Sequence, residues 1–167
     1  IYKYLGLWLH EHLDMKETVK PLAASASRAL GKLCTKYHAS GGMSHATFTH
    51  LYDSLVAPVL LYGAGIWGTS SYHQVNTIQN RACRFFLGVG SSTSNSATRG
   101  DMGWAPQLHR QYAEVLRLYH RAETVGPDRL NGFVHRYTKA LRAKSLWINK
   151  LSKICKDLNF DYENLSI

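Results

Sequence analysis

No two acidic residues are adjacent anywhere in this chain of 167 residues, and Asp plus Glu total only 11. The carboxyl pairs Glu11 with Asp14 and Asp14 with Glu17 fit helix capping, and Asp53 has no second acid near it. A two-metal site needs several carboxylates converging on its cations, so that chemistry is excluded from this segment. Cysteine is also scarce. Cys34, Cys83 and Cys155 are odd in number and far apart, which argues against a disulfide framework and for a reducing, intracellular compartment, nucleus or cytoplasm. The most apolar run, Leu55 to Trp67, is broken by Pro58, Gly63 and Gly65 and is shorter than the roughly 20 residues a membrane span requires. No basic-then-apolar leader stands at the N-terminus, and the opening on Ile1 reads as an excised piece of a longer protein.

Two further motifs are missing. Gly63-Ala64-Gly65 lacks the later glycine of a dinucleotide loop and follows a helical pattern rather than a strand. Nine histidines invite a metal, yet His10 and His12 are two apart and His45 and His50 five apart, with no Cys or acid at zinc-ligand spacing. No metal site is expected, and folding should not require zinc.

Positive charge is what the chain has in excess. Lys plus Arg total 20, giving a formal charge of +9 and a pI near 9.6. Apolar residues make up 45% and charged residues 19%, a globular composition. At this length roughly 70% of the unfolded surface can be hidden in a core. Between Glu17 and Asp101 the sole acid is Asp53, against Lys20, Arg28, Lys32, Lys36, Arg81, Arg84 and Arg99. A second basic block runs from Gln107 to Lys156, and Asp157, Asp161 and Glu163 close the chain without a base. Such asymmetry points to a polyanion, nucleic acid or an anionic membrane.

The periodicity predicts a mainly α fold: a helical bundle with one short N-terminal β-strand. Tyr2 to Leu9 reads as that strand, with Gly6 marking a bulge or close approach and no partner strand evident. Asp14 to Glu17 forms a capping box for a helix with Val19, Leu22, Ala26, Leu30, Leu33 and Tyr37 inward, bent or begun near Pro21 and ended before Gly41-Gly42. Ser44 caps a second helix, with Phe48, Leu51, Leu55, Val59 and Tyr62 inward, Tyr52, Val56 and Leu60 widening that face, and a bend at Pro58. A third runs from about Ser71 to Leu87. After a Gly/Ser/Thr loop and a short turn near Ser96 to Arg99, Pro106 opens a fourth long helix with Leu108, Tyr112, Val115, Leu116 and Tyr119 inward. Asp128 caps a helix to about Leu141, and the last spans Ser145 to about Leu158.

On the first long helix Arg28, Lys32 and Lys36 stand at successive i+4 steps and fall within roughly 80° of arc. One side of this helix packs and the other offers cations, as phosphate binding requires. Lys20 precedes them on the same helix, and Arg81 and Arg84 make a weaker pair on the third. A solvated helix face is the alternative for each of these residues.

A resemblance emerges from the order of several short segments. Tyr4-Leu5-Gly6 is followed by Leu51-Tyr52, then by Pro58-Val59-Leu60-Leu61-Tyr62-Gly63 with Ile66-Trp67. Ile78-Gln79-Asn80-Arg81-Ala82, Phe86-Leu87-Gly88 and Gly103-Trp104-Ala105-Pro106 complete the series. This order resembles the region downstream of the palm in reverse transcriptases of non-LTR (LINE-type, jockey-like) retrotransposons, over residues 1 to about 110. The resemblance implies that residues 1–13 end the palm, with Tyr4, Leu5 and Gly6 at a primer grip. It makes 14–110 a thumb-like bundle, with 111–158 a basic helical extension and 159–167 an acidic tail. The partners it implies are an RNA–DNA or RNA duplex and the remainder of the polymerase chain. The family's Tyr/Phe-X-Asp-Asp motif is absent, so Mg²⁺ is expected only in a palm outside this segment and no cofactor within it. Two readings of function result: a duplex-holding thumb segment that is not catalytic alone, or a basic helical protein-interaction module, a decayed or co-opted fragment of such an element.

Overall fold

The computed structural model describes residues 1–126, 128–141 and 145–159. It opens on a hairpin of β1 (Tyr2–Tyr4) and β2 (Leu7–Leu9), antiparallel, with Tyr2 opposite Leu9, Lys3 opposite Trp8 and Tyr4 opposite Leu7. Leu5 and Gly6, at φ 45° and 88°, make the two-residue turn between them. Two successive left-handed residues match the twist of the strands they join. The single strand expected over Tyr2 to Leu9 is therefore two short strands that satisfy each other. Gly6 is the second corner of the turn rather than a bulge. The fold class stands: mainly α, with a short β element at the N-terminus.

Asp14 caps α1 (Met15–Ala39) through a side-chain acceptor for the Lys16 amide, 2.9 Å away. The helix starts at this cap and runs through Pro21 without interruption. Val19, Leu22, Ala26, Leu30 and Leu33 are buried as the spacing predicts, together with Thr18 and Ala23, whereas Tyr37 near the end of the helix is half-buried.

Ser44 caps α2 (His45–Leu51), as its hydroxyl accepts from the Thr47 amide. One continuous helix does not follow. A wide π turn, Tyr52–Val56, comes next, in which the Ala57 amide donates to Tyr52 O five residues back. Then come α3 (Ala57–Leu60) and, past Leu61–Gly63, the short α4 (Ala64–Trp67). Pro58 is the physical reason: with no amide hydrogen and a ring that crowds the preceding turn, it favours a widened turn before it. The inward face rotates accordingly. Phe48, Tyr52, Val56 and Leu60, at uniform four-residue spacing, are buried, whereas Leu55 and Tyr62 are exposed.

By Cα proximity the chain forms two compact units, Ile1–Gly63 with Ser70–Arg110, and Ala64–Thr69 with Gln111 onward. In the first, α1 packs against α3, the π turn and α5 (His73–Leu87), whose Val75, Ile78, Ala82 and Cys83 are buried. Each fully buried aliphatic contributes about 1.5–3 kcal/mol. Gln79 is buried among them. Its Nε2 donates to Ala105 O at 2.8 Å, and its Oε1 accepts from the Gln107 amide at 3.1 Å. Gln107 opens α7 (Gln107–Thr124), so a side chain from α5 satisfies an amide that the helix itself leaves without a partner. Between them α6 (Asn95–Asp101) leads into Gly103-Trp104. Trp104 lies 4.4 Å from the Tyr52 ring, centroid to centroid, and its indole donates to Thr49.

In the second unit, Val115, Tyr119, Leu151 and Cys155 form a core with Leu116 and Trp147 packed on it. Ser145 caps α9 (Leu146–Asp157). Asp128 does not cap α8 (Leu130–Ala140): Arg129 occupies that position without a side-chain bond, and the Arg129 amide to Gly126 O closes the entry turn. Glu123 on α7 accepts from Tyr119 (2.5 Å) and from Lys139 of α8 (2.6 Å), with His135 Nε2 at 3.2 Å. Burial pushes its carboxyl up, but the hydrogen bonds from Lys139, Tyr119 and His135 prevail and bring it down to about 2. The acidic segment expected over 159–167 lies outside the described residues, Asn159 excepted.

Two predictions follow from these joints. Gln79→Leu keeps the volume but orphans the Ala105 carbonyl and the Gln107 amide, and should cost about 2–3 kcal/mol in urea unfolding. Glu123 has a folded value depressed below its ordinary 4.5, so its stabilising contribution is in place above that value and is lost as pH falls toward 2. Thermal unfolding across that acid window should show the loss, and Glu123→Gln should flatten it.

Candidate nucleic-acid interface

The period of α1 sets the geometry of its outward face. Counting about 100° per residue, Arg28 lies opposite the arc that buries Val19, Leu22, Ala26, Leu30 and Leu33, and Lys32 and Lys36 step round from it toward the Leu22 edge of that arc. All three are exposed. They border a shallow trough floored by Gly31, Thr35 and Ala39. From Arg28 to Lys36 the row of cations extends about 12 Å along the helix. Arg28 donates to the Ser25 hydroxyl one turn back. Among the described residues no acid pairs with Arg28, Lys32 or Lys36. Their charge is therefore available to a polyanion without first breaking an ion pair.

The remaining sequence-predicted cations differ in their surroundings. Arg81 on α5 is exposed and donates to Ser27 of α1 at 2.9 Å. It also faces Cys34, where burial pushes the thiol up and the Arg81 charge works against that rise. Arg84 is turned to another task. Its guanidinium donates to Thr93 O and to Asn95 Oδ1, holding the loop that leads into α6. Lys20 is paired with Glu17 one turn earlier. The structure thus leaves Arg28, Lys32 and Lys36 exposed along α1, holds Arg81 at Ser27 on a different side of that helix, pairs Lys20 with Glu17 and engages Arg84 in the scaffold.

Tyr4, Leu5 and Gly6 sit at the tip of the hairpin, with Leu5 and Tyr4 largely exposed. Two residues of a distant segment support them. The Tyr62 hydroxyl donates to Leu5 O at 2.6 Å, and a Cβ at Gly6 would touch the Tyr62 ring at 3.4 Å. Leu7 is buried, and a Cβ at Gly63 would fall 2.7 Å from its Cδ1. Thr18, in the first turn of α1, donates to Trp8 O at 2.5 Å. The hairpin is thereby fixed to the start of α1, with Arg28 about 15 Å further along the same helix.

Tyr62, expected inward from its spacing, is exposed and, like Gly63, Gln79 and Trp104 of the motif series, serves a contact that spacing does not announce. These contacts join Tyr62 with Leu5, Gly63 with Leu7, Gln79 with Ala105 and Gln107, and Trp104 with Tyr52. The motifs that carried the resemblance are joints between segments far apart in sequence. Among the described residues no three His, Cys, Asp or Glu come together as a metal ion would require, and no helix is long and apolar enough to cross a membrane.

No family model and no solved structure matches the chain. Among curated proteins it is similar to a probable RNA-directed DNA polymerase from transposon BS of Drosophila melanogaster, with 26% identity over 127 residues. That alignment covers 71% of this chain and 14% of the polymerase, so the chain spans a small part of that protein's length. The similarity agrees with the resemblance drawn from the motif order and supports a reverse transcriptase relationship.

Gly63 stands at φ 65° against the Leu7 side chain, so Gly63→Ala meets both left-handed strain and overlap. It should cost about 1–3 kcal/mol in urea unfolding, and Tyr62→Phe, which removes one hydrogen bond to Leu5, about 1 kcal/mol.

Proposed function

We propose that this chain is the duplex-holding, thumb-like part of a non-LTR type RNA-directed DNA polymerase, and that it is not catalytic alone. The observation that carries this reading is the outward face of α1, where Arg28, Lys32 and Lys36 stand in a row without acid partners among the described residues. The similarity to a transposon polymerase supplies the context in which a cationic helix face has a polyanion to meet. In this reading the face contacts the sugar–phosphate backbone of an RNA–DNA or RNA duplex, and the hairpin tip at Tyr4, Leu5 and Gly6 lies toward the primer terminus. The chain offers no adjacent acidic residues. Mg²⁺ and its carboxylates belong to a palm supplied by other residues.

Phosphate contacts carry no base information. Replacing Arg28, Lys32 and Lys36 together by Ala should weaken duplex binding about equally for all sequences. It should also flatten the slope of log affinity against log salt by roughly 2–3 units. Ala is a strong helix former, so circular dichroism should not change. A folded triple variant that keeps the parent slope would reduce these residues to a solvated face. The purified chain should bind duplex yet extend no primer, and extension that survives stringent purification would contradict the assignment.

A further inference from the structure

Four side chains of the first unit pair reciprocally where α6 meets α5. Asn80 and Arg84 stand one turn apart on α5, and Asn95 and Arg99 one turn apart on α6. Arg84 Nη2 donates to Asn95 Oδ1 at 2.6 Å, and Arg99 Nη1 donates back to Asn80 Oδ1 at 3.4 Å. The two helices therefore run antiparallel here, and the arginines occupy diagonal corners of a patch that extends one turn, about 6 Å, along each helix. Arg84 Nη2 also donates to Thr93 O at 3.0 Å, which fixes the loop before α6.

Every acceptor in this arrangement is neutral. Among the described residues no acid pairs with Arg84 or Arg99. Asp101 is the sole acid from Ser70 to Arg110, and it stands two positions past Arg99, about 200° round α6. Both arginines are half-buried and Asn80 is buried. Arg84 Nε is shielded from solvent and meets no acceptor. The hydrogen bonds thus orient two partly desolvated cations without neutralising them. Their field reaches the interior. Burial pushes the Cys83 thiol up to about 11, while Arg99, a backbone hydrogen bond, Arg84 and Arg110 oppose that rise. Arg110 has a carboxylate of its own in Asp53, and Arg84 and Arg99 have none. Charge withdrawn from water without a counter-charge is unfavourable, and a bound anion relieves it.

The donors left over define the class of anion. Arg99 retains Nε and Nη2, and Arg84 retains Nη1 and Nε. Two planar guanidiniums approaching from different helices suit the several oxygens of a tetrahedral oxyanion better than the two of a carboxylate. We propose that the junction of α5 and α6 is an anion site in which Arg84 and Arg99 together hold one phosphate group. A nucleic-acid backbone and free phosphate present the same oxygens to it. The inference stands on this cluster and does not require the α1 face to meet a duplex.

The test follows the Nε–Hε resonances of Arg84 and Arg99 by NMR in the isotope-labelled full chain, titrated with inorganic phosphate at neutral pH and constant ionic strength. Both resonances should shift saturably with one shared dissociation constant, and acetate should bind about tenfold more weakly. Arg99→Gln keeps a donor for Asn80, so the circular-dichroism signal should persist while phosphate affinity read at Arg84 falls about tenfold. Arg99→Lys, which keeps the charge but not the planar fork, should recover part of that loss. The Arg28, Lys32 and Lys36 triple variant should bind phosphate at Arg84 and Arg99 as the parent does, which separates this site from the α1 face. Shifts that do not saturate, equal affinity for acetate, or unchanged phosphate binding by the folded Arg99→Gln variant would overturn the proposal. A salt titration of duplex affinity identifies the source of the phosphate. A slope flattened by about one unit in Arg99→Gln assigns the site to a nucleic-acid backbone, and an unchanged slope beside lost phosphate binding assigns it to free phosphate.

Discussion

One buried side-chain amide, that of Gln79, ties α5 to the stretch between α6 and α7 in the first unit. It stands on α5 and is fully shielded from solvent. Its two polar ends meet the carbonyl of Ala105 and the amide of Gln107, which fixes where the chain leaves α6 and where α7 begins. The intervening Trp104 is thereby held against Tyr52, and Tyr52 belongs to the π turn packed on α1. A buried polar group without a partner costs about 1–3 kcal/mol, so this amide specifies a single arrangement and penalises the alternatives. The direction in which α1 faces depends on that arrangement, because the elements packed on its inner side decide which residues remain outside.

The hairpin is held by a second joint of the same kind. Tyr62 and Gly63, beyond the π turn, close on Leu5 and Leu7 through one hydrogen bond and one close approach. These joints account for the motif series. Its short pieces are weak signals singly, and several are halves of one contact: Leu5 with Tyr62, Tyr52 with Trp104, and Gln79 with Ala105. The cations of α1 lie outside every one of those motifs.

What could be read in the sequence was what is decided locally. Asp14 and Ser44 cap their helices through bonds that span two or three residues, although Asp128 does not cap α8, and the apolar period of α1 gave both its buried arc and its cationic one. Features decided by distant partners were not legible. The hairpin lacks the usual Asn-Gly or Asp-Gly turn, and Leu5 gives no sign of adopting a left-handed conformation. The π turn narrows the expected wide face to Phe48, Tyr52, Val56 and Leu60 and leaves Leu55 and Tyr62 outside, a choice of register that Pro58 announces only as a bend. Gln79, Gln107 and Gln111 are buried although their side chains are polar, so an apolar pattern passes over them. Arg84 looks like an available cation until Thr93 and Asn95 are found around it.

The account rests on the claim that the outward face of α1 meets the nucleic-acid backbone. Thr35 lies in the trough among Arg28, Lys32 and Lys36, and Leu55 is an exposed side chain elsewhere in the same unit. Placing a photoreactive benzoylphenylalanine at either position and irradiating with an RNA–DNA duplex tests the claim with all three cations intact. The account predicts a crosslink from position 35 that high salt suppresses, and little or none from position 55. A crosslink from 55 with none from 35 would contradict it.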